Sequence, residues 1–218
     1  MKLRILFFSV ISAAFIVSCG GPQGERATTA DEKAVIEADG DVYLTNLDVA
    51  VVEWIGTKPT GQHDGTISVK SGYVVINDGE ITGGEMIIDM NSIVVLDIED
   101  PETNAKLRNH LLSADFFEVE TYPEARFVIT SVQDFEGVSP GDIQFTHNVS
   151  GNLTMKDVTR NITFPAQIGF DDERMKTSTE FFIIDRSEWN VRYGSRTFFD
   201  NLRDNFIHDD IMLKITFE

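Results

Sequence analysis

One cysteine, six prolines, two tryptophans and four histidines are spread over 218 residues, and 18 lysines and arginines face 36 aspartates and glutamates. Each shortage removes a class of explanation. A single cysteine forms no internal disulfide, so the chain is not a disulfide scaffold. His63, His110, His147 and His208 are scattered, with no HxH, HxxxH or CxxC spacing to organise a metal. No Gly-x-Ser-x-Gly elbow and no GxGxxG loop occurs. A formal charge of −18 repels phosphate backbones and anionic headgroups. It therefore argues against nucleic acid as a partner and against docking through a polybasic patch. Beyond the N-terminus no second apolar run of about 20 residues is present to span a bilayer.

The N-terminus supplies what the rest withholds. Lys2 and Arg4 precede and open an apolar stretch from Leu3 to Val17, which breaks at Ser18-Cys19-Gly20-Gly21. A short basic head, an apolar run too short to span comfortably and a small residue at the break describe an export signal. Ile16-Val17-Ser18-Cys19 resembles a bacterial lipobox, although Val17 is bulkier than the usual residue there. The alternative is a plain signal peptide with an incidental cysteine, but a stray thiol is a liability in an oxidising envelope. Residues 1–18 are thus expected to be a lipoprotein signal peptide and Cys19 the lipidated residue. The protein is expected in the bacterial envelope, periplasmic and lipid-anchored. Gly20 in place of the aspartate that retains lipoproteins at the inner membrane favours the outer membrane. Residues 19–41 have almost no apolar content until Val35 and read as a flexible tether to a domain at 42–218.

From Asp48 onward the hydrophobic pattern has period two. Phe145, His147, Val149, Gly151, Leu153 and Met155 alternate with Thr146, Asn148, Ser150, Asn152, Thr154 and Lys156. Ile162, Phe164, Ala166, Ile168 and Phe170 repeat the pattern, as do Ile211, Leu213, Ile215 and Phe217. Shorter runs occur around Val52/Trp54, Ile67/Val69, Val74/Ile76, Met86/Ile88/Met90 and Phe127/Ile129. Ser71-Gly72, Asn77-Asp78-Gly79, Pro140-Gly141 and Asp171-Asp172 read as turns between them. About eight antiparallel strands result. Pro101–Leu112 is the one good helix, with Asp100 as its cap, Pro101 at its first position and Leu107 and Leu111 on one face. Strands with one apolar face close into a barrel or stack as two sheets, and periodicity does not choose between these.

A family resemblance does choose. Val52-Glu53-Trp54, His63-Asp64-Gly65-Thr66, Gly83-Gly84-Glu85-Met86-Ile87-Ile88-Asp89-Met90-Asn91-Ser92-Ile93 and Asn104-Ala105-Lys106-Leu107 with His110-Leu111 come in order. Ser113-Ala114-Asp115-Phe116-Phe117-Glu118-Val119, Tyr122-Pro123, Gly151-Asn152-Leu153-Thr154-Met155-Lys156-Asp157-Val158-Thr159 and Phe164-Pro165 follow. Ile184-Asp185-Arg186-Ser187-Glu188-Trp189 and Asp200-Asn201 close the series. This set resembles the YceI-like family over roughly 41–218. The resemblance implies a mainly β fold, an extended eight-stranded antiparallel lipocalin-like barrel with one packed helix at about 101–112. It also implies a polyisoprenoid held in an apolar tunnel as ligand; no other cofactor and no metal are expected. A lipobox-like cysteine departs from a family that looks mostly soluble and secreted.

If the clean apolar faces point inward, Trp54, Ile67, Met86, Ile88, Phe127, Phe145, Leu153, Phe164, Phe182 and Ile215 line the wall. The same residues would also make an ordinary packed core. Phe116, Phe117 and Tyr122 read as a rim or a plug, and Phe198-Phe199 as either of the same. Arg186 is the first candidate for a headgroup, with His63 and Arg192 behind it; such an arginine is more often a structural ion-pair partner. Phe181 and Ile183 face away from Phe182 and Ile184, and that outward apolar surface is expected to receive the helix or a second subunit. Asn148, Asn152 and Asn161 belong to polar strand faces and are expected at the surface. Two rivals stand beside a lipid binder that is not an enzyme: a solid barrel with an apolar dimer or partner surface, and an enzyme on a lipid or quinone using Asp185, Arg186 and His63.

Overall fold

The computed structural model describes residues 22, 24–35, 37–171 and 174–218, so Cys19 and the expected signal peptide lie outside the described residues. The alternating segments form strands because each pays out its apolar side chains to one face only. In chain order these are β1 (Glu25–Arg26), β2 (Thr28–Asp31), β3 (Asp41–Leu44), β4 (Val51–Lys58), β5 (Gly61–Asn77), β6 (Glu80–Asp89) and β7 (Val94–Val95). The helix α1 (Pro101–Leu112) precedes β8 (Glu124–Asp134), β9 (His147–Met155), β10 (Val158–Asp171), β11 (Arg174–Ser178), β12 (Phe182–Asp185) and β13 (Asp210–Phe217).

β4, β5, β6, β8, β9, β10, β11 and β13 are neighbours in that order, and β13 returns to β4. All these pairs are antiparallel, so eight strands close a barrel. β5 is long enough to serve two partners: its first half pairs with β4 and its second with β6. Ser71-Gly72, expected as a turn, is instead inside β5 next to a bulge between Val69 and Ser71. Small residues accommodate the bend that carries the strand from one neighbour to the next. Asn77-Asp78-Gly79 does turn, with Asp78 and Gly79 at φ 51° and 84°. Asp100 accepts from the Thr103 N–H at 2.9 Å and caps α1 as its sequence implies.

The N-terminal segment corrects the expectation of a tether. β10 pairs with β11 only from Gln167 onward, and β12 turns its outer edge away from β13. Into the seam between them runs residues 25–31: β1 lies parallel to β12, and β2 antiparallel to β10. Ala27 is buried there and donates its N–H to Ile183 O at 2.9 Å. Arg26 pairs with Asp210, and Arg160 with Asp31 at 2.7 Å. Low apolar content does not prevent docking here, because the arm satisfies open strand edges through its backbone. The arm also answers the outward surface expected to receive the helix or a second subunit. Ile183 is buried against it, with Gly24 beside Phe181 O.

Beyond β2 the chain crosses the outside of β9. Asn152 accepts from Lys33 N–H at 3.1 Å and donates to Lys33 O at 2.7 Å, acting as a short strand partner. Asn152 and Asn161 are therefore buried, not at the surface, and Asn161 donates to Asn152 Oδ1 at 3.0 Å. Their polar strand face is covered by the arm.

Candidate functional site

The barrel interior has two unlike halves. Toward the end bearing the β8–β9 and β10–β11 connections, aromatic rings fill its centre. The rings of Phe164 and Phe182 stack with centroids 4.5 Å apart and planes 2° from parallel, and Phe127 leans on Phe164 at 5.8 Å. Gly151 makes room for this: a Cβ there would stand 2.2 Å from Phe127 Cζ. These rings form a plug across the barrel.

The other half is hollow, with a cavity of about 410 Å³. That falls within the roughly 300–1,000 Å³ of small-ligand sites. β4 contributes Val52 and Trp54, β5 Ile67, β6 Ile88, β9 Leu153 and Met155, β12 Ile184, and β13 Ile211 and Leu213. Met90 and Ile93 continue the wall below α1, whose Leu107, His110 and Leu111 roof it. α1 is fixed over the opening by side chains that replace missing strand partners. Asn104 donates to Val95 O at 2.9 Å and to Ile98 O at 3.0 Å, and Arg108 Nε donates to Ile93 O at 2.9 Å. Hydrocarbon therefore dominates the lining, and an apolar chain can enter at little polar cost.

Of the residues expected on the wall, Trp54, Ile67, Ile88 and Leu153 line the cavity, and so do Phe116 and Phe117, read as a rim or a plug. Met86, Phe127, Phe145, Phe164, Phe182 and Ile215 do not, which corrects their assignment. Phe127, Phe164 and Phe182 point inward as expected but at the depth of the plug. Met86 pairs with Phe127 at that level and packs near Thr45, whose Oγ1 lies 3.4 Å from its sulfur. Ile215 is half-buried against the core. Phe145 precedes the first residue of β9; its N–H bonds Ser139 Oγ at 2.8 Å and its ring packs on Phe135. Met155, Ile184, Ile211 and Leu213 were legible by parity, since each shares a face with a residue already chosen.

The mouth is framed by aromatic rings and one buried cation. His110 meets Tyr193 edge-on at 4.4 Å and Phe116 at 5.1 Å, and Phe116 lies 5.3 Å from Tyr193. Arg186 reaches this wall from a 3₁₀ turn at Arg186–Trp189, with Asp185 accepting from Ser187 N–H at 2.9 Å and Oγ at 2.6 Å. Trp189 is buried and donates to Leu153 O at 2.8 Å, fastening the turn to β9. Arg186 itself is 2% exposed. Nη1 donates to Val191 O at 2.9 Å, Nη2 to Tyr193 O at 2.8 Å and Nε to His208 O at 3.2 Å. Asp209 Oδ1 stands 3.3 Å from Nη2. Burial lowers the pKa of this guanidinium while Asp209 and Asp185 oppose the shift. Arg186 thus ties the 191–193 and 207–208 stretches into the rim.

The other headgroup candidates separate. His63 lines the cavity and its Nδ1 lies 2.8 Å from Asp97 Oδ2. Burial pushes the Asp97 carboxyl up, but hydrogen bonds from His63 and the Asp64 N–H bring it below its ordinary value. Arg192 is outside the cavity, exposed, with its guanidinium 4.8 Å above the Phe198 ring. The indole N–H of Trp54 is buried without a partner, an unused donor on a residue of the wall. Among the described residues no group of three or more His, Cys, Asp or Glu side chains could hold a metal ion. No described helix is long and apolar enough to cross a membrane, which says nothing of strands.

Comparison with known proteins matches residues 43–218 to the model of the YceI-like domain. The chain belongs to the YceI-like family. Its YceI-like domain begins after the arm, so β1 and β2 are additions to the matched region. A UPF0312 protein of Pseudomonas putida is 46% identical over 63 residues, 29% of this chain and 29% of that protein. A UPF0312 protein of Photorhabdus laumondii is 34% identical over 93 residues, 42% of this chain and 44% of that one. The matched stretches thus span less than half of these relatives. Among solved structures, BcnA of Burkholderia cenocepacia superposes with a TM-score of 0.59 at 20% identity, covering 79% of this chain and 98% of BcnA. A polyisoprenoid-binding domain of Saccharophagus degradans, implicated in plant cell wall breakdown, gives 0.57 at 18% identity, covering 81% and 95%. At these identities the likeness is one of fold.

Proposed function

We propose that this protein binds an apolar lipid chain of the polyisoprenoid kind in the mouth-side cavity, as a binding or carrier protein that does not turn its cargo over. One observation carries the reading: a hollow of about 410 Å³ lined by hydrocarbon and stopped at its inner end by an aromatic plug. Burying apolar chain there contributes roughly 25 cal/mol per Å², less the entropy of ordering it. The description of the Saccharophagus degradans domain as polyisoprenoid-binding supports the choice of chain. The plug makes the cavity blind, so cargo enters and leaves by one mouth. Trp54 Nε1 suits a cargo with one acceptor near the buried segment. Turnover is not part of the proposal, because the residues suggested for it have structural partners: Asp185 caps a turn, Arg186 is held by carbonyls and His63 by Asp97. We place the protein in the bacterial envelope, anchored through a lipid on Cys19.

Gentle purification followed by native mass spectrometry and lipid extraction tests this. Co-purified isoprenoid, displaced by Ile88→Trp in a protein that still folds, is the expected result. No bound lipid, together with no uptake of added geranylgeraniol, overturns it. A second reading, an interaction protein, rests on a different place: β3 is a sheet edge with Val42 62% and Leu44 82% exposed. A concentration-dependent dimer in sedimentation velocity that Leu44→Lys abolishes would favour it.

A further inference from the structure

On the strands many cations are held by carboxylates. Lys70 pairs with Glu124, Arg126 with Glu85, Arg174 with Glu218 and Lys214 with Glu53. The loop from β12 to β13 differs. Arg192, Arg196 and Arg203 have no carboxylate at ion-pair distance among the described residues; Arg192 donates to Asn190 and Arg196 to the Arg203 carbonyl, and both lie over aromatic faces. Arg192 lies over Phe198, and Arg196 lies 3.4 Å from the centre of the Phe206 ring. Tyr193 and Phe199 are 44% and 48% exposed on the same loop. Across the whole loop charges balance, and only the stretch 192–204, with three arginines against Asp200 and Asp204, has a surplus of one positive charge in a chain of net charge −18. Lys58, also without a carboxylate partner, and Lys156 stand on the same end of the barrel. Burial pushes the Lys156 ammonium below the ordinary lysine value; Glu118 opposes this and the nearby Arg192 charge adds to it.

Arginines stacked on rings beside exposed aromatics are the side-chain equipment of a lipid–water interface, where the ring enters the headgroup layer and the guanidinium meets phosphate. The rest of the negative surface is screened beyond about 8 Å at physiological salt, so the loop's own charge governs close approach. The loop also borders the mouth: Tyr193, Asp204, Asn205 and Ile207 line the cavity.

We propose that the loop at 192–204 docks the cavity mouth onto the surface of an anionic lipid bilayer. The proposal goes beyond the lipid-binding reading and rests on it in one respect: an apolar chain cannot cross water cheaply to reach a blind cavity, so its single mouth must meet the lipid that supplies it. Docking itself requires no cargo.

Hydrogen exchange on the full-length protein, with vesicles of phosphatidylcholine containing 30% phosphatidylglycerol and with pure phosphatidylcholine, reads the loop directly. Slowed exchange at 192–204 is expected with the anionic vesicles and is expected to fade as salt is raised. Arg192→Gln combined with Phe199→Ser, both exposed and remote from the core, should weaken that protection on the order of tenfold. Equal exchange in the two vesicle types, or protection confined to other segments, overturns the proposal, and so does protection unchanged in the double variant. Lipid extraction from the same preparations separates the two ideas. Loop protection without any cargo leaves docking standing and removes the carrier reading; cargo without loop protection does the reverse.

Discussion

The two halves of the barrel are built from the same strands and the same alternation, yet one is filled and the other is not. In the filled half, aromatic side chains from β8, β10 and β12 converge at one depth, with Gly151 yielding space to Phe127. In the hollow half, the inward residues are mostly aliphatic and stop short of each other, and α1 spans the gap above them instead of filling it. The difference teaches that inward direction and depth are separate properties. Alternation encodes the first; the second depends on which residues of different strands reach the same level.

The comparison breaks first if both halves respond alike to truncation. Phe182→Ala should destabilise by about 3–5 kcal/mol, because a close-packed ring is removed from a site that cannot collapse. Ile88→Ala, facing space already empty, should cost roughly 1 kcal/mol, a contrast that denaturant titration resolves. Equal losses would mean the hollow is not empty of packing. Next in size is the arm: Ala27→Asp places a carboxylate in the buried seam, and a loss of about 2–4 kcal/mol is expected by the same titration. A neutral outcome would show that the seam closes without residues 25–31.

A smaller effect sharpens the chemistry of the cavity. Trp54→Phe keeps a ring in the wall and removes its unpaired N–H, so stability should change by less than about 1 kcal/mol. Retention of a purely hydrocarbon cargo should be unchanged, whereas a cargo that accepts from the indole should be lost several-fold, as lipid extraction would show. The smallest effect lies outside both halves. A hydrogen bond from Arg126 holds the Glu85 carboxyl below its ordinary value, with burial opposing. A depressed carboxyl stabilises the fold above its unfolded pKa of about 4.3, and that stabilisation is lost as pH falls through the lower folded value. Because Arg126 is half exposed, Glu85→Gln should remove less than about 1 kcal/mol of the acid dependence below pH 4.5. No change in acid titration would mean solvent already screens the pair.

The fold was largely readable because period-two runs and turn residues state direction and reversal directly, as in β9, β10 and β13 and at Asn77-Asp78-Gly79. The site was readable only in part. Ile88 and Leu153 followed from parity, but Phe127 and Phe182 share that parity and lie in the plug. Phe145 failed for another reason: its parity was extended two residues beyond the start of β9, where the chain no longer runs as a strand. The arm escaped because its docking is made by backbone groups and by Asn152, which carry no hydrophobic signature. The Arg186 rim escaped likewise, since its hydrogen-bond partners are mainly backbone carbonyls, which leave no side-chain pattern in the sequence.

The direction of β1 has a bearing on orientation. It runs parallel to β12, which heads toward the mouth, so the chain enters the wall at Gly24 from the plugged side. The described arm therefore joins the barrel at its back, opposite the mouth, and leaves the opening clear.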